Sequence, residues 1–255
     1  MTPQEPNIWK IVNALRGEAS AGGALAGLKP PEREARLFAY VLERMPIGLE
    51  PGETLAGDFG SRFVEPERRS AFLEKITSLE KPRSPVNPTP AQLLFERFHC
   101  NAGYTLAHTC ADYERVIGQG LDGILAEVKS AQAQADGERL ETLRAMEIAL
   151  EAVPRWAGRY AVLAPQLAGR EPEAKDRAHL LRIAEACERV PRLPARSFHE
   201  ALQAIWFVHA AIGISELCDA SLSLGRLDQF LYSLFLHGLE QGVRGDEMEH
   251  SLRDL

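Results

Sequence analysis

The four cysteines of this sequence, Cys100, Cys110, Cys187 and Cys218, never fall two or three positions apart. That spacing excludes a zinc ribbon and a CxxC redox pair, and it leaves most of them expected as buried thiols. No block of Lys and Arg interrupts the chain: 36 acidic residues against 29 basic ones give a net charge of -7 and a pI near 5.6. Nucleic-acid binding needs clustered cations that release counterions from phosphates, so no such partner is expected. The opening MTPQEPNIWK places an acid and prolines where a signal peptide needs positive charge and an apolar run of about 7–15 residues. A cytoplasmic protein is the resulting expectation. The most apolar stretch, Ala201 to Ile214, is broken by Gln203 and His209 and falls short of the ~20 residues a bilayer span requires, so no membrane partner is expected either. It reads instead as a core helix surrounded by protein. Internal repeats and low-complexity segments are missing as well.

What is present is an ordinary globular balance, 45% apolar and 25% charged over 255 residues, enough to bury a core without disulfides as one large domain over 1–255 or two small ones. Helical periodicity accounts for most apolar positions. Pro30-Pro31 open a helix carrying Ala35, Phe38, Val41, Leu42 and Met45 that ends near Pro46. Thr109 and Asp112 resemble a capping box before Tyr113, Val116, Ile117, Leu121 and Val128. A long helical region from about Asp136 to Leu167 is expected to be interrupted at Pro154, and another runs from about Ala174 to Arg189. Ser197 and Glu200 form a better capping box for the apolar helix, and Leu227 to Phe235 returns to helical spacing. Prolines 82, 85, 88 and 90 make the stretch 81–90 a linker. Short strands are expected near Glu53–Phe63 and Ser221–Leu224, so the fold class is predominantly α with a few short strands.

Three segments, in order, resemble the N-terminal part of glycyl radical enzymes of the pyruvate formate-lyase-like superfamily. These are RLFAYVLERMPIGLEPGETLAG (36–57), HTCADYERVIGQGLDG (108–123) and RIAEACERVPRLPARSFHEALQAIWFVHAAIGISELCDASLSLGRLDQFLY (182–232). The resemblance implies the N-terminal portion of that family's α/β barrel. It also implies anaerobic lyase or dehydratase chemistry, in which a backbone glycyl radical, installed by an S-adenosylmethionine-dependent activase, oxidises a cysteine to a thiyl radical. The family carries that cysteine in a G-C-x-E or C-C loop and the glycine in R-V-x-G-[YF]. Neither motif occurs in these residues, so the chain is expected to hold no catalytic residue, no cofactor and no metal of its own and to be inactive alone. Position 220, a substrate-contacting His or Asp in dehydratases, is Ala220 here.

The resemblance singles out three substrate-binding candidates. His108 matches a pocket histidine, where a neutral imidazole holds or protonates a departing hydroxyl; a histidine at a helix start also satisfies backbone groups. Ser221 matches a substrate-contacting serine, although serines in extended segments also bond local backbone. Asp219 replaces the polar residue missing at 220 only if the strand slips by one position, which would reverse its direction. Arg226 and Asp228 read as a structural pair. Trp206 and His209 read as core. His99, Cys100, His108 and Cys110 are metal-compatible types whose spacing matches no common zinc site. The functional expectation is therefore a substrate-side fragment or subunit that needs a complementary glycyl radical chain, the alternative being a free-standing helical binding or regulatory module. In both cases an uncovered apolar face around Trp206 and Ser221 implies a homo-oligomer.

Overall fold

A computed structural model describes residues 8–49, 52–57, 109–216 and 222–255. Their order is α1 (Ile8–Ala21), α2 (Pro30–Arg44), β1 (Thr109–Cys110), α3 (Tyr113–Gln132), α4 (Gly137–Ala168), α5 (Ala174–Arg189), α6 (Phe198–Glu216), β2 (Leu222–Ser223), α7 (Leu227–Phe230), α8 (Tyr232–Glu240) and α9 (Gly245–Arg253). The fold is predominantly helical. Among the described residues the two strands form one parallel pair, Thr109 opposite Leu222 and Cys110 opposite Ser223, and no barrel is seen. The Pro-rich stretch 81–90 lies outside the described residues.

The amphipathic pattern places α2 well: Ala35, Leu37, Val41 and Leu42 are buried, and Pro30 opens the helix where its missing N–H costs nothing. Its C-terminal carbonyls are capped from another helix. The Arg159 guanidinium on α4 donates to the Leu42 and Met45 carbonyl oxygens at 2.7 and 2.6 Å, which sets the register of α2 on α4. The same periodic signal is present in α1, where Ile11, Val12, Leu15 and Ala19 are buried.

Helix α4 is the long central element, packed by α2, α3, α5 and α6. It runs through Pro154 and Pro165 without the expected interruption. An interior proline costs about 3 kcal/mol by removing a hydrogen bond and crowding the preceding turn. Burial of Ala152, Val153, Pro154, Trp156, Ala157, Tyr160 and Ala164 offsets that cost, because neighbouring helices hold this stretch in line. Trp156 meets Tyr160 and Phe207 edge-to-face and those two rings are tilted against each other, all with centroids 5.2–6.0 Å apart.

The start of α3 also differs from expectation. Thr109 belongs to β1, and Asp112 alone caps the helix, its carboxylate accepting from the Arg115 N–H at 3.2 Å. Farther along, α3 breaks at Gly120, which takes φ 68° and ψ 168°. The backbone groups released there are taken by the turn after α5. Leu121 N–H donates to the Pro191 carbonyl (2.8 Å), Asp122 N–H to that of Arg192 (3.0 Å), and Ala195 N–H to that of Ile117 (2.9 Å). A Cβ at position 120 would sit 2.3 Å from the Arg192 carbonyl oxygen.

At the expected box before α6, the Ser197 hydroxyl accepts from the Glu200 N–H at 3.2 Å. The Glu200 carboxylate reaches one residue farther back, to the Arg196 N–H at 2.7 Å and to the Arg196 guanidinium at 2.6 Å. Helix α6 then touches α2, α3, α4, α5, α8 and α9. Ala204, Phe207, Ala210, Ala211 and Ile214 face the larger core, while Ala201, Leu202 and Ile205 face a second one with Leu55, Tyr113, Ile117, Leu231 and Met248. The region around its first turn holds three histidines, with the His179 and His250 rings 6.1 Å apart. Both His199 ring nitrogens and the His179 Nδ1 are sealed from solvent without a hydrogen-bond partner. Burial, reinforced by Arg182, pushes His199 down to about 4 and lowers His179 as well.

Two predictions follow from these contacts. Gly120→Ala combines a forbidden φ with a backbone clash and should destabilise the protein by more than ~2 kcal/mol in urea unfolding. The buried histidines bind protons less well folded than unfolded. Their contribution to stability is therefore complete above the unfolded value near 6.5 and is lost as pH falls toward about 4. The urea midpoint should drop through that window, and His199→Gln should flatten the drop.

Candidate functional site

The candidate site lies where the middle of α6 meets the N-terminus of α3, the segment 52–57 and the β1–β2 pair. A strand was expected over Glu53–Phe63. Residues 53–57 are not strand, and 58–63 lie outside the described residues. Side chains supply what a neighbouring strand would. Gln203, fully buried on α6, accepts from the Ala56 N–H at 2.8 Å and donates to the Ala56 carbonyl at 2.7 Å. Two residues earlier, Thr54 donates its N–H at 2.9 Å and its hydroxyl to the Asp254 carboxylate. Gly57 follows with φ 114°, where a Cβ would meet Trp206 at 3.0 Å, so only glycine lets this segment lie against the indole.

Trp206 and His209 are half-buried on α6 rather than in the core, their rings stacked at 6.0 Å with an interplanar angle of 17°. The Tyr113 hydroxyl and the His209 Nδ1 are 2.9 Å apart. Burial pushes Tyr113 up to about 12, with Cys110 acting in the same sense, and burial lowers His209. Both groups are therefore uncharged at neutral pH, and the direction of their hydrogen bond follows the His209 tautomer. The arrangement supplies a neutral, oriented polar edge. This trio was missed from sequence, although Gln203, Trp206 and His209 recur every third residue along an otherwise apolar helix.

His108, Asp219 and Ser221 lie outside the described residues, as do Cys100, Cys218 and Ala220. Their chain neighbours within the described residues are informative. His108 directly precedes Thr109 and Ser221 directly precedes Leu222, and these two successors are ladder partners. The residues that follow these two candidates in sequence therefore stand in adjacent parallel strands. Arg226 and Asp228 do form the expected pair, two-pronged at 2.9 and 2.8 Å and exposed. Of the other cysteines, Cys187 is buried as expected and its thiol is pushed up by burial, whereas Cys110 is exposed. No group of three or more His, Cys, Asp or Glu among the described residues could hold a metal ion, and none of the described helices is long and apolar enough to cross a membrane.

Because Gln203 satisfies both backbone groups of Ala56 in the interior, Gln203→Leu leaves a donor and an acceptor buried without partners. It should cost about 2–5 kcal/mol in chemical denaturation, whereas Gln203→Glu, which keeps the acceptor, should cost less.

The pyruvate formate lyase-like family model matches residues 91–250. Isethionate sulfite-lyase of Desulfovibrio desulfuricans is 36% identical over 138 residues, which is 51% of this chain and 17% of that protein. The structure of hydroxyproline dehydratase from Clostridioides difficile with trans-4-hydroxy-L-proline bound matches with a TM-score of 0.73 at 23% identity, over 99% of this chain and 37% of that one. A glycyl radical enzyme from Archaeoglobus fulgidus matches with a TM-score of 0.71 at 22% identity, over 98% of this chain and 39% of that one. At such identities the two structures show a shared fold, and the chain spans under two fifths of either. The family match covers more than half of the sequence and includes both strands, the Tyr113–His209 contact and the whole of α6. The chain belongs to the pyruvate formate lyase-like family.

Proposed function

We propose that these residues form the substrate-side portion of a glycyl radical lyase or dehydratase, with the radical residues supplied by further polypeptide. The observation that supports this reading is the parallel β1–β2 pair, whose strands begin one residue after His108 and Ser221 in sequence and lie within the family match. In this reading His108, Ser221 and Asp219 contact substrate, and the Tyr113–His209–Trp206 edge orients the strand and helix ends that carry them. β1 and β2 belong to a barrel completed by the further polypeptide. None of the four cysteines follows a glycine, and no R-V-x-G-[YF] occurs in residues 1–255, so initiation falls to that polypeptide. It brings the thiyl cysteine and the glycyl radical, which an activase using S-adenosylmethionine installs.

Incubated anaerobically with an activase and S-adenosylmethionine, this chain by itself should give no doublet glycyl signal in electron paramagnetic resonance. A glycyl radical assigned to one of its own residues overturns the reading. A chain carrying both radical motifs should give the doublet under the same conditions. Lyase or dehydratase turnover should then require both chains and fall at least about tenfold with His108→Ala.

A further inference from the structure

Helix α9 is held in place by what it touches rather than by itself. A helix of 9 residues is marginal alone in water, and of its residues Met248 and Ser251 are the buried ones. Polar ties complete its attachment. Glu247 pairs with Arg182 on α5, the Asp254 carboxylate just past the helix accepts from the Thr54 N–H and hydroxyl, and His250 Nε2 lies 3.4 Å from the Gly52 carbonyl oxygen. Two of these three ties go to the 52–57 segment that borders the candidate site. An element with so little buried apolar surface belongs to the part of a fold that opens first.

Beneath α9 lies a cavity of about 400 Å³, enclosed by α5, the first turn of α6, the turn after α8 and α9 itself. His199 stands on its wall with both ring nitrogens sealed from solvent and unpartnered; the His179 Nδ1 is sealed in the same way, and its ring lies 6.1 Å from that of His250 on α9. The ionisable groups that face this cluster are Lys175, Asp176, Arg182 and Glu185 of α5, Glu200 of α6 and Glu247 of α9, while the turn after α8 adds none to the wall. Glu247 is taken up by Arg182, and Glu185 and Glu200 by Arg196. A proton added to His179 or His199 therefore arrives in a place closed to water, with Arg182 as a like-charged neighbour. Opening the cover relieves both costs, and α9 is the cover with the weakest attachment.

We propose that α9 is an acid-released latch: while the His179–His199–His250 cluster is neutral, α9 closes over it and clamps residues 52–54, and proton uptake by the cluster frees α9 together with that end of the segment. The Ala56 bonds to Gln203 belong to α6 and stay made, so Ala56 is the hinge about which the freed end moves. The sign follows from the lowered histidines. They favour the closed form above the ordinary value near 6.5, and that preference is lost as pH falls toward about 4, His199 alone weakening closure about 30-fold by about pH 5. The bearing of this device on function rests on the reading above, because the freed residues border the candidate site; the release itself involves no radical chemistry.

Amide hydrogen exchange followed by nuclear magnetic resonance tests it on the whole 255-residue chain, with rates corrected for the intrinsic effect of pH. From about pH 7 to about pH 5, exchange at Thr54 and along α9 should rise together by at least about tenfold, while Ala56, α4 and α5 keep their protection. The double variant His179→Gln/His199→Gln should hold Thr54 and α9 protected at about pH 5. Asp254→Ala should free Thr54 already at about pH 7 without freeing Ala56. If the double variant does not fold, the ring signals of His179 and His199 in the unaltered chain replace it, and they should titrate over the pH range in which Thr54 loses protection. Protection of Thr54 and α9 that persists at about pH 5, loss that spreads to α4 and α5 at the same pH, or release that is indifferent to the histidines overturns the inference. Each of those results leaves the radical-signal test of the proposed function untouched.

Discussion

A polar group buried on a helix costs free energy unless it finds a partner, and α6 is buried along most of its length. An amide or carboxylate buried alone costs about 1–3 kcal/mol or more, and three polar side chains on α6 each pin a particular neighbour, whereas the His199 ring nitrogens have none. Glu200 holds Arg196 and the chain entering the helix, Gln203 holds Ala56, and His209 holds Tyr113. These contacts span 4, 147 and 96 positions of sequence. The apolar residues of α6 decide that it is buried; its polar residues decide what lies against it.

The segment 52–57 shows how this works at a distance. It has no strand neighbour, yet its backbone is held at alternate residues, Thr54 by the end of α9 and Ala56 by the middle of α6. Alternate anchoring is what an extended chain permits, since successive residues point to opposite sides. Gly57 then turns under Trp206 where a larger residue would push the indole away. The end of α9 thereby shares in placing residues beside the candidate site.

A similar exchange of backbone bonds ties α3 to the turn after α5. A helix that breaks at one glycine frees carbonyl and amide groups, and those groups become the attachment points for the 190–195 turn. The start of α3 and the start of α6 are consequently fixed to one another. Through β1 the strand pair immediately precedes α3 in sequence, and the structures sharing this fold are longer chains, of which this one spans 37% and 39%.

Local chemistry was enough to read several elements from sequence. Pro30-Pro31 and its amphipathic stripe define α2, the Ala174–Arg189 pattern defines α5, Ser197 and Glu200 mark the entry to α6, and Ser221–Leu224 brackets β2, because propensity, capping and period act within a few residues. The three ordered segments also carried the family. The continuity of α4 through Pro154, the capping of α3 by Asp112 alone, and the non-strand course of 53–57 were decided by tertiary contacts, which supply burial or side-chain bonds that outweigh the local signal. The half-buried Trp206 and His209 belong to the same class. Residue types on an apolar helix suggest a core, but only the arrangement of Tyr113, Gly57 and the strand pair determines which face of the helix stays open, because exposure is a property of what packs nearby and not of the residue itself.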